Sequence, residues 1–79
     1  MNYRKILDII KNKIYDEFPF IINDIEICII AGSTGGEITL MVGKYLKDLE
    51  KTNLTAYNLI KNEIEDYKIE CKKEGLVIR

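Results

Sequence analysis

The chain has 79 residues, 47% hydrophobic and 32% charged, and a net charge of −1. That balance describes one small folded domain spanning 1–79 and excludes a disordered chain. No segment gathers the Lys and Arg excess that phosphate contacts need, and no apolar run approaches a membrane span, so neither a general nucleic-acid binder nor a membrane protein is expected.

"MNYRKILDII" scatters charge where a signal peptide would be apolar, which points to a cytoplasmic protein. From Tyr3 the residues Ile6, Leu7, Ile10, Ile14 and Phe18 recur at spacings of three and four, the stripe of an amphipathic helix. Pro19 has no N–H to donate and pushes the residue before it off helical angles, which predicts a helix over 3–17. "FPFII" then runs without a polar break to Asn23-Asp24, a turn pair. "IEICIIA" alternates: Ile25, Ile27 and Ile29 fall on one side, Glu26 and Cys28 on the other. Its β-branched residues predict a strand over 25–31.

"AGSTGGEI" follows. A strand beyond it would alternate for only a few residues, whereas Ile38, Met41, Val42, Tyr45, Leu46 and Leu49 hold a helical stripe. Thr34 and Glu37 match a capping box, so a helix is predicted over 34–51. Thr52 and Asn53 can both cap the next helix, predicted over 53–73 from the stripe Tyr57, Ile60, Ile64, Tyr67 and Cys71. Lys72, Lys73 and Gly75 are its stop signals, and "LVIR" predicts a strand over 76–79. A short joint near Thr52 makes the last two helices antiparallel and returns the chain to the first strand. The expected fold is α+β, in the order α-β-α-α-β, with three helices packed on a two-stranded antiparallel sheet.

The Gly-rich turn does not fit a phosphate loop. Counting from Gly32, the Gly-Lys-Ser/Thr positions of a Walker sequence hold Glu37, Ile38 and Thr39. The glycines read first as a tight turn into a helix. Residues 32–37 remain an alternative small-ligand or anion site, through Ser33, Thr34, Gly35 and Gly36 at a helix start. Glu37 counts against it, as does the absence of Lys and Arg between 14 and 43. There is no histidine, and Ser33 and Thr34 have no base nearby, so no enzyme activity and no cofactor are expected. Glu63, Glu65, Asp66 and Glu70 read as solvated helix surface, and Cys28 and Cys71 as free thiols without metal spacing. "TAYNLIKNEIEDYKIE" carries four acids to two lysines, which disfavours a DNA-recognition helix.

Partner binding is the expectation that survives. Phe18, Phe20, Ile21 and Ile22 sit in a connection, where they either plug the core or form a contact surface, and a two-stranded sheet leaves an open edge. Ile9, Ile30 and Ile69 lie off the main stripes, and Gly43 inside a helix suggests close approach of another element. The chain reads as a non-catalytic cytoplasmic interaction protein of inhibitor, immunity or adaptor type. It would bind one protein partner or a second copy.

Overall fold

The computed structural model describes residues 2–78, and among them it has four helices and no strand. These are α1 (Tyr3–Ile14), α2 (Pro19–Ala31), α3 (Gly35–Thr52) and α4 (Leu54–Lys73). The α+β expectation is therefore overturned. Residues 25–31 lie inside α2, and 76–78 form a tail with no strand partner. Arg79, the end of the expected final strand, lies outside the described residues.

Why α2 forms is plain once Pro19 is read in both directions. It ends the preceding helix, but its fixed φ and missing N–H also suit the first position of a new one, which it occupies. Phe18, Ile21, Ile22, Ile25, Cys28 and Ile29 then recur at helical spacing and face the core. The β-branched residues cost only a few tenths of a kcal/mol each in a helix, which burial of that face outweighs. With no first strand to pair with, the tail stays single. The predicted first helix also loses its last turn, since residues 15–17 are a turn closed by Phe18 N–H donating to the Ile14 carbonyl at 2.8 Å.

Connections of one to four residues make each helix antiparallel to the next. The Tyr45 hydroxyl joins Asp24 between α3 and α2, and the Tyr67 hydroxyl joins the Thr39 carbonyl between α4 and α3, each at 2.8 Å. Lys13 on α1 pairs with Glu63 on α4 at 2.7 Å and closes the ring. α1 and α3 touch across one diagonal, whereas among the described residues α2 and α4 do not meet. The helices form an up-down-up-down bundle of 32 × 23 × 21 Å.

Each helix contributes its stripe to one core. Ile6, Ile10 and Ile14 come from α1, Ile21, Ile22 and Ile25 from α2, and Ile38, Val42, Leu46 and Leu49 from α3. Ala56, Tyr57, Ile60, Ile64, Tyr67 and Cys71 complete it from α4, which is bent at Ile60. The predicted caps are in place: Thr34 Oγ1 accepts from Glu37 N–H at 3.1 Å and Asn53 Oδ1 from Ala56 N–H at 3.2 Å. Past α4, Gly75 at φ 81° lets its own N–H and that of Leu76 cap the Lys72 and Cys71 carbonyls. The tail then folds back, so that Ile78 lies over Gly43 on α3, where a Cβ would collide with its side chain. Gly43 thus admits a close neighbour, and that neighbour is the tail.

Candidate docking surface on helix α2

The outward side of α2 follows from helix geometry. With Ile21, Ile22 and Ile25 in the core, the opposite line runs through Phe20, Asn23, Ile27 and Ile30, at spacings of three, four and three. Phe20 is 51% exposed, Ile27 54% and Ile30 83%. A helix apolar on every side is ordinarily covered on every side. This one is covered on the core side only. Asn23 and Glu26 are the polar residues facing outward beside the apolar ones.

Against the four apolar residues predicted for partner contact, the structure divides the segment. Ile21 and Ile22 are core residues with relative exposures of 0% and 2%. Phe18 is half-buried and meets Phe20 edge to face, with ring centroids 6.1 Å apart. Of the four, Phe20 alone is an exposed residue. Among the described residues there is no strand, so the expected open sheet edge is not found. Of the residues set off the main stripes, Ile30 and Ile69 are exposed and Ile9 is half-buried. Ile27 is the residue sequence reasoning missed, because an alternating reading placed it beside Ile25 and Ile29. Numbering 19–31 at helical spacing would have separated it from both.

Electrostatically, residues 14–43 contain Asp16, Glu17, Asp24, Glu26 and Glu37 and not one Lys or Arg. Asp24 is engaged by Tyr45, whose phenol is pushed well above its ordinary value by burial and by that carboxylate. Beside it, burial and the Asp24 charge also raise the Cys28 thiol, so Cys28 is a poor nucleophile. Cys71 is buried and raised as well, chiefly by desolvation. Across a shallow groove Arg4 and Leu7 of α1 face Glu26, Ile29 and Ile30.

The Gly-rich turn is a helix start. The Thr34 hydroxyl oxygen is taken up by the cap, Ser33, Gly35 and Gly36 are exposed, and Glu37 brings a negative charge to the first turn. A Cβ on Gly32 would collide with Ile38, so the glycine there serves the close approach of α2 and α3. No Lys or Arg stands between 14 and 43 to accompany the four candidate anion-binding residues. Among the described residues no three His, Cys, Asp or Glu converge as a metal site requires, and no helix is long and apolar enough to cross a membrane. No protein family, curated protein or solved structure matches the chain, which leaves its own surface as the basis for a functional reading.

Proposed function

We propose that this protein is a non-catalytic interaction module that docks another protein surface on the outward face of α2. The observation that carries the reading is the line Phe20–Ile27–Ile30, half or more exposed at each residue on a helix whose opposite face is fully buried. Leaving that much apolar side chain in water forfeits stabilisation that a partner would recover, on the order of 1 kcal/mol per half-exposed isoleucine. An inhibitor, immunity protein or adaptor needs nothing else of its structure.

A photo-activated cross-linking residue tests this. Placed at position 27 or 30 in the native host, it should give a discrete cross-linked product that disappears when Phe20→Asp is added. The same residue at Asn12, exposed on α1, should give none. A product from position 12 but none from 27 or 30 would refute docking on α2.

A further inference from the structure

The corner of the bundle opposite α2 carries a second apolar surface, with lysines at its rim. Beside α4 a recess of about 280 Å³ is lined by Ile69, Leu76, Val77 and Ile78, with Lys68, Lys72 and Glu65 at its rim. It is bordered by another of about 450 Å³, where Leu40 and Lys44 of α3 meet the same tail residues. Ile69 and Val77 are 53% and 66% exposed. The α2 patch carries Glu26, with Arg4 across its groove, whereas lysines outnumber acids around the recess, although Lys68 pairs with Glu65 at 3.7 Å and Lys44 with Asp48 at 4.0 Å. Because α1 and α3 stand between α2 and α4, one molecule cannot bring its own two patches together.

We propose that the surface docked on α2 is this recess on a second copy of the chain, in a head-to-tail contact that sets Ile27 and Ile30 of one copy against Ile69 and Val77 of the next. The inference rests on the α2 docking face described above. Charge complementarity selects this arrangement over a symmetric one. Pairing α2 with α2 would bring Glu26 against its own counterpart on a helix that has no base, and like charges so placed repel. Arg4 of α1 lies across the groove, but it already faces Glu26 of its own copy and sits over the Tyr3 ring, 5.7 Å from its centroid. In the head-to-tail contact Glu26 is set toward Lys72 instead, beside Lys44 and Lys68, which also pair with Asp48 and Glu65 of their own helices. Two different patches in contact form a heterologous interface, which propagates into chains or rings. The net charge of −1 sets no repulsion against stacking copies.

Sedimentation of the purified protein from micromolar to millimolar concentration, with Ile27→Asp and Ile69→Asp as single-face variants, decides the matter. The wild type should associate reversibly beyond a dimer, and each variant alone should be a monomer. An equimolar mixture of the two should form a one-to-one heterodimer, since each keeps one intact face. Lys72→Glu should weaken wild-type association roughly threefold to tenfold, as loss of one interfacial charge pair does. Should Ile27→Asp or Ile69→Asp fail a circular-dichroism check of folding, Ile30→Glu and Val77→Asp replace them. A closed dimer abolished by Ile27→Asp and untouched by Ile69→Asp would overturn the head-to-tail contact in favour of α2 pairing with itself. A wild type monomeric throughout would overturn self-docking while leaving α2 to a different protein. Association untouched by every α2 variant would refute the α2 face as well.

Discussion

Helices α2 and α4 occupy opposite corners of the bundle and distribute their apolar residues in opposite ways. Along α4 the buried set Ala56, Tyr57, Ile60, Ile64, Tyr67 and Cys71 forms one stripe, and its exposed apolar residues Leu54, Leu59 and Ile69 lie five and ten residues apart rather than a helical turn apart. On α2 the buried and the exposed apolar residues form two lines, back to back. A helix with one stripe declares which way it faces and needs one neighbour. A helix with two declares that the folded chain supplies only half of its surroundings. The difference is what sets the proposed docking face on the shorter helix, although the longer one holds more of the core.

That contrast is sharpest under a charge. Ile22→Asp should bury an unpaired carboxylate and unfold a domain of this size, costing several kcal/mol. Ile27→Asp, five residues along the same helix, should leave the melting temperature nearly unchanged. Equal destabilisation of the two variants in thermal melts would erase the distinction between the faces of α2.

The α4 side is tested more gently. Tyr67→Phe removes the hydroxyl that donates to the Thr39 carbonyl inside the core and should cost about 1 kcal/mol in urea unfolding. A silent substitution would mean that α3 and α4 are joined by packing alone.

A pH-dependent contribution comes from the α1–α4 seam. Burial by itself raises the Glu63 carboxyl, but the Lys13 ammonium 2.7 Å away overrides it and holds the pKa below the ordinary glutamate value. The folded-state pKa is thus below that of the unfolded chain. The stabilisation is complete at neutral pH and is lost as pH falls through the acid range. Lys13→Met should flatten the stability profile below about pH 5, as read by chemical denaturation at each pH. An unchanged profile would show that the pair contributes nothing.

The smallest effect belongs to the outer line of α2. Ile30→Ala should alter stability by no more than about 0.5 kcal/mol, because water already surrounds the side chain and alanine is the better helix former. A loss of several kcal/mol would place Ile30 in a core it is not seen to touch.

The same contrast explains what the sequence discloses and what it hides. The stripes of α1, α3 and α4 are single, and Thr34 and Asn53 announce the starts of α3 and α4, so three helices are legible to within a few residues. α2 is not. Isoleucine at 21, 22, 25, 27, 29 and 30 satisfies alternation and helical spacing together, and Asn23-Asp24 imitates a turn. With both periods present, only the neighbours decide, and they come from distant parts of the chain. Leu76-Val77-Ile78 misleads for a related reason, since β-branched residues make a strand only beside another strand. For the docking face, Phe20 is legible as a surplus aromatic residue. Ile21 and Ile22 differ from Ile27 and Ile30 only in the direction a helix gives them.

Asn53 carries a kinetic consequence. Its N–H closes α3 on the Leu49 carbonyl, its carbonyl opens α4 to Tyr57 N–H, and its side chain caps Ala56, so the chain reverses through a single residue. Almost no loop has to be closed before the two longest helices meet, and contacts between residues near in sequence form early. The α3–α4 hairpin is therefore the expected folding nucleus, with α2 docking late. Asn53→Ala should slow refolding in stopped-flow measurements more than it speeds unfolding, and the reverse would move the nucleus elsewhere. A late-docking α2 exposes both its apolar lines at once while the rest of the bundle is already formed. At that moment the chain is most open to joining another molecule through the wrong side of the helix.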